Sequence, residues 1–142
     1  MKFDNLFKKV IDNTNSKNDN SISYEQFEHW LDNIIESSNF KGVIATNFNL
    51  YEDGNDSWSL EFVATSRFDL YDEDWACYEV FNSRENPLRW RKSAQWEEIL
   101  ESSVCIINQY LEVGKYAEKL KSFEAVGVGF VDGNIKILYH HQ

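Results

Sequence analysis

Apolar positions recur along this chain with two different periods, and the changes of period mark its elements. Phe3, Leu6, Phe7, Val10 and Ile11 fall at helical spacing and predict an amphipathic helix at the start. The polar run D-N-T-N-S-K-N-D-N-S that follows reads as a surface loop. A serine cap at Ser21 or Ser23 then opens a second helix that runs to about Ser37. Tyr24, Phe27, Leu31, Ile34 and Ile35 line one face of it, with Trp30 beside them.

Beyond Asn39 the period changes to two. F-K-G-V-I-A-T-N-F-N-L-Y alternates, and so does S-W-S-L-E-F-V-A-T-S, in which Trp58, Leu60, Phe62 and Ala64 share a face. Between them E-D-G-N-D supplies residues that tolerate positive φ, so the pair predicts an antiparallel hairpin. W-A-C-Y-E-V-F is apolar on both faces apart from Glu79 and reads as a third, more central strand. Ser93 is placed to cap a long helix with the stripe Trp96, Ile99, Leu100, Val104, Ile107 and Leu111, and Gly114 to stop it. K-Y-A-E-K-L-K adds a short helix. The chain closes with two strands around Asp132-Gly133, a hairpin signal. Gly127 and Gly129 fall on one side of the first of them, where a helix or backbone can approach closely.

The order is therefore α-α-β-β-β-α-(α)-β-β. Hairpins punctuated by helices, without βαβ alternation, predict a single α+β domain spanning 1–142. About five mostly antiparallel strands are expected, with helices packed on one face.

Composition narrows the class. Hydrophobic residues make up 42% and aromatics 15% of the 142 residues, too many for a disordered chain. No apolar run approaches the roughly 18 residues that cross a bilayer, and the charged start is unlike a signal peptide, so a cytoplasmic protein is expected. Cys77 and Cys105 sit in apolar settings and are expected as buried, reduced thiols. The net charge of −10 opposes binding to nucleic acid or an anionic membrane. That charge is concentrated: residues 51–82 hold Glu52, Asp53, Asp56, Glu61, Asp69, Asp72, Glu73, Asp74 and Glu79 against Arg67, a net of 9 − 1 = 8 negative charges. Directly after it, R-E-N-P-L-R-W-R-K is basic.

Chemical motifs are mostly excluded by their spacing. The stretch from Asn15 resembles a calcium loop in length, yet Lys17 stands at a ligand position, Asn20 at the turn glycine and Gln26 where a bidentate Glu is required. Asp69, Asp72, Glu73 and Asp74 offer hard oxygen ligands, but no second acidic motif completes a site. His29, His140 and His141 show no zinc spacing, and neither cysteine has a basic sequence neighbour to activate it. G-V-G-F-V-D-G spans a strand and a turn instead of opening a helix, so it is no phosphate cradle. No catalytic residue, metal or cofactor is expected, and the chain is not read as an enzyme.

What remains is recognition. Glu52, Asp53 and Asp56, then Asp69, Tyr71, Asp72, Glu73, Asp74 and Trp75, interleave acidic and aromatic residues. Carboxylates steer a basic protein into place while Tyr and Trp supply desolvated anchors. Core packing of Trp75 and solvation of the acids is the competing account of the same residues. If the strand Trp58–Ser66 is straight, the two acidic stretches leave from its opposite ends and form two patches.

The tracts W-S-L-E-F-V-A-T-S-R-F-D, D-W-A-C-Y-E-V-F and A-V-G-V-G-F-V-D-G-N-I, in a small acidic α+β chain, resemble the bacterial immunity proteins of polymorphic-toxin and contact-dependent-inhibition systems. The resemblance implies a cytosolic protein that binds one cognate toxin domain, often a nuclease, and blocks its active site or an essential surface. It carries over no site residue. Two other classes stay open: a small-ligand- or metal-dependent enzyme with a cleft beside the sheet, and a non-catalytic scaffold or oligomerising subunit.

Overall fold

The computed structural model of the chain describes residues 22–141. The amphipathic stretch at 3–11, the polar loop after it and most of the calcium-loop lookalike lie outside the described residues. Helix α1 spans Tyr24–Glu36 and opens on Ser23. The Ser23 side chain accepts from the Gln26 N–H while the Gln26 side chain accepts from the Ser23 N–H, so two otherwise orphaned donors are satisfied reciprocally. The hairpin follows as β1, Ala45–Gly54, and β2, Ser57–Thr65. Its turn residues Asn55 and Asp56 adopt φ of 54° and 60°, the left-handed pair that matches strand twist in a two-residue hairpin.

A short 3-10 helix, Glu73–Cys77, and strand β3, Glu79–Asn82, replace the expected central strand. Trp75 reaches the sheet from the 3-10 turn, and β3 lies at the sheet edge with Val80 exposed. An apolar run this short fits a buried helical turn as well as a strand, and here the turn won. The basic stretch holds a sixth strand, β4, Leu88–Arg91, which buries Trp90 and turns Arg89 and Arg91 outward. Helix α2, Trp96–Val113, is capped at Gln95, two residues after the expected Ser93, and has no side-chain cap bond; Gly114 does end it. Helix α3 spans Ala117–Lys121, and β5, Ala125–Phe130, and β6, Lys136–His140, complete the α+β fold.

The strands form one mixed sheet in the order β3-β2-β1-β5-β6, with β4 sharing the outer edge of β2. All neighbours are antiparallel except β1 and β5, which run parallel from Ala45 opposite Ala125 to Leu50 opposite Phe130. The three helices cover one face. There Phe27 and Leu31 of α1, Ile99 and Ile107 of α2 and Leu120 of α3 close over Phe48, Leu50, Leu60, Phe62, Val126 and Val128. Two tryptophans of this core have their donors satisfied: Trp30 Nε1 donates to the Asn86 carbonyl at 2.8 Å and Trp58 Nε1 to that of Lys92 at 2.9 Å. Among the described residues no helix is long and apolar enough to cross a membrane. Both cysteines are free and, against expectation, exposed: Cys77 ends the 3-10 turn and Cys105 faces outward from α2.

Candidate functional site

The opposite face of the sheet carries the acidic loop that follows β2. Between β2 and β3, residues 66–78 fold over it and are fixed by Trp75, which is 1% exposed and packs with Ala45 and Ala125. Phe68 meets the Trp75 ring edge-on at 5.1 Å. Trp75 is therefore the internal peg of this loop and is not available as a partner anchor, because its surface is already spent on the sheet. Tyr71 stands at the other extreme, 93% exposed, next to Leu70 at 44%.

The four clustered carboxylates are tolerated because two of them hold the loop's own backbone and a third holds a neighbouring segment. Asp69 Oδ1 accepts from the Tyr71 N–H at 2.9 Å, and Asp72 Oδ1 from the Asp74 N–H at 3.0 Å, capping the 3-10 helix. Glu73 Oε2 accepts at 3.0 Å from the N–H of Ile135, in the β5–β6 connection. Each backbone N–H dipole offsets part of the negative charge it meets, and water screens what repulsion is left. Among the described residues none of Asp69, Asp72, Glu73, Asp74, Glu52, Asp53 and Asp56 forms an ion pair with Lys or Arg. Arg67, the lone base of this region, lies over the Tyr78 ring at 4.7 Å instead. No three His, Cys, Asp or Glu side chains among the described residues are grouped so as to hold a metal ion.

Two of the nine acids behave differently. Glu61 is 1% exposed in the middle of β2, and Glu79 lies on β3; the Nη2 of Arg84 sits 2.8 Å from Glu61 Oε2 and 2.9 Å from Glu79 Oε2. The Tyr51 hydroxyl donates to Glu61 Oε1 at 2.6 Å, and Asn49 Nδ2 donates to the same oxygen at 3.3 Å. Asn47 Nδ2 donates in turn to Asn49 at 2.8 Å. Burial first, and then the bond to Glu61, push the Tyr51 phenol up to about 12. The hydrogen bond to Glu79, ahead of the attraction of Glu61, raises Arg84 above its ordinary value. Glu61 is thus a structural carboxylate, and the displayed charge of the 51–82 stretch is smaller than its sequence suggests.

Comparison of the chain with protein-family models, with curated proteins and with solved structures returns no match.

The acidic turn and the acidic loop leave β2 from opposite ends, as expected for a straight strand. The connection at 131–135 nevertheless links them. Ile135 receives Glu73 on one side and, with Glu52, Gly54 and Asp132, lines a cleft of about 990 Å³ on the other. The cleft opens where β1 outruns β5: pairing with β5 stops at Leu50, whereas β1 continues to Gly54. Trp96 and Leu100 of α2 form its far wall. Asp53 and Asp56 are exposed beside it.

Two features escaped the sequence. The polar stripe of Asn47, Asn49 and Tyr51 was visible in the alternation of β1, but only its pairing with β2 brings Glu61 opposite Asn49. Trp96 looked like a core position on the stripe of α2, yet it is 50% exposed at the cleft.

Proposed function

We propose that this protein is an immunity protein that acts in the cytoplasm and neutralises a cognate bacterial toxin domain by binding it through the acidic, aromatic-containing loop at 69–74. The observation that carries this reading is the state of the loop: its carboxylates have no cationic partner among the described residues, and Tyr71 stands 93% exposed among them. A surface with unpaired negative charge and an exposed aromatic is complementary to a basic protein patch, with the charge speeding encounter and the ring supplying a desolvated contact. Glu52, Asp53 and Asp56 extend the acidic surface through the 131–135 connection. Nothing in this mode of action needs a catalytic group, nucleic acid or a membrane.

The test is co-expression with the toxic domain encoded beside this chain's gene, followed by association kinetics. Asp72 caps the 3-10 helix, so the informative variant is Asp74→Lys combined with Asp72→Asn, which keeps an acceptor at the cap. Protection should be weakened and association at low salt slowed by roughly tenfold, with an unchanged melting temperature. Unchanged kinetics, or a neighbouring gene product without toxicity, would count against it.

The cleft favours a second reading, a small-ligand- or metal-dependent enzyme. Its volume is in the range of ligand pockets, and Glu52, Asp132 and Lys136 line it. That reading predicts a saturable rise in melting temperature with a divalent ion or a small polar ligand.

A further inference from the structure

Trp96 is the exception among five tryptophans. Trp30, Trp58, Trp75 and Trp90 are buried, whereas Trp96 is 50% exposed and walls the cleft. It is not loose: its ring meets Phe130 edge-on, with centroids 6.1 Å apart and planes at 89°. A fixed, half-exposed indole beside carboxylates is an arrangement for cations, because the ring face is electron-rich and the acids complete the charge balance. Glu52 and Asp132 line the same cleft, against Lys136 as the cation of the lining. Glu97 and Glu98 follow Trp96 in the first turn of α2, where they offset the positive end of the helix dipole.

We infer that this cleft receives an arginine side chain of the partner protein, with its guanidinium against the Trp96 ring and paired with Glu52 and Asp132. Arginine fits better than lysine because a planar guanidinium stacks on an indole and still presents donors in its plane to carboxylates. The inference rests on the reading of a basic protein partner and deepens it. Through Ile135 the cleft is continuous with the loop that carries Glu73, so one basic surface can cover the loop while a side chain enters the cleft.

The test uses the full chain and no toxin. Tri-arginine is titrated while the tryptophan indole N–H signals are followed by NMR, with Trp96→Phe assigning the reporter. The Trp96 signal is expected to move saturably with tri-arginine and little with tri-citrulline, its neutral isostere. Glu52→Gln with Asp132→Asn should weaken the response about tenfold. A stationary Trp96 signal, an equal response to tri-citrulline, or tri-lysine binding as tightly as tri-arginine overturns the inference. A silent cleft leaves the toxin-neutralising function to stand on its own test. A failure to protect cells, with tri-arginine still bound at Trp96, removes the function and leaves the arginine site.

Discussion

Glu73 on the 3-10 turn and Ile135 in the β5–β6 connection are joined by a 3.0 Å hydrogen bond from the Ile135 N–H to the Glu73 carboxylate. One member of the acidic cluster is thereby a fastener between two segments distant in sequence, which sets it apart from its neighbour Asp74. Replacing Glu73 by Ala should cost about 1 kcal/mol, and replacement by Gln, which keeps the acceptor, clearly less. Thermal melts of the two variants check this; equal losses would show that the bond does not hold the loop.

Arg84 bridges a buried and a surface carboxylate, so its loss leaves Glu61 in the sheet without its cation. Complete removal of one partner of a buried pair costs about 3–5 kcal/mol; with Arg84 53% exposed, water can replace part of it, and Arg84→Met should cost about 1–3 kcal/mol. Adding Glu61→Gln to that variant should recover part of the loss, measured by urea denaturation. A double variant less stable than Arg84→Met alone would contradict the pairing.

The Tyr51 phenol makes a specific contribution at alkaline pH. Its value rises on folding from 10.0 to about 12, so between those values the folded chain keeps a proton that the unfolded chain has released. The stabilisation is fully present below about pH 10 and is lost as pH climbs through about 12. The melting temperature should fall across this window, and fall less steeply in Tyr51→Phe. Parallel curves would mean that Tyr51 titrates alike in both states.

Gly129 is required by proximity. A Cβ built there would lie 2.3 Å from the Asn134 carbonyl oxygen, and backbone cannot swing aside as a long side chain can. Gly129→Ala should cost about 1–3 kcal/mol by displacing the β5–β6 connection. Because that connection also walls the cleft, the same variant should perturb the Trp96 indole signal; an unchanged spectrum and stability would refute the close approach.

How much of this was legible follows the range of the interactions. The serine cap of α1, narrowed to Ser21 or Ser23, the alternation of β1 and β2 and the turn around Asn55 and Asp56 are local and legible, whereas the Gln26 half of the capping box is seen only in the structure. The closeness around Gly129 was readable too, because two glycines on one strand face leave room only for a neighbour. W-A-C-Y-E-V-F differs because Trp75 is buried, and Ala76 partly buried, by a turn that docks on Ala45 and Ala125, a contact with no local signature. L-R-W-R alternates as a strand does, but four residues of alternation, two of them arginines, are too short a local signal for β4. The parallel pairing of β1 with β5 is also non-local, and with it went the cleft. Of the proposed contact residues, Tyr71 and most of the acids are displayed, Trp75 is internal, and Glu61 shows how a charge counted in sequence can be consumed inside the fold.

The parallel seam between Ala45–Leu50 and Ala125–Phe130 also sets the order in which the molecule can mature. A nascent chain can close the β1–β2 hairpin early, but the other flank of β1 stays bare until β5 emerges, and such distant pairings slow folding. Truncation ahead of Ala125 would leave that flank as an open template for aggregation, and Glu73 without its Ile135 fastening.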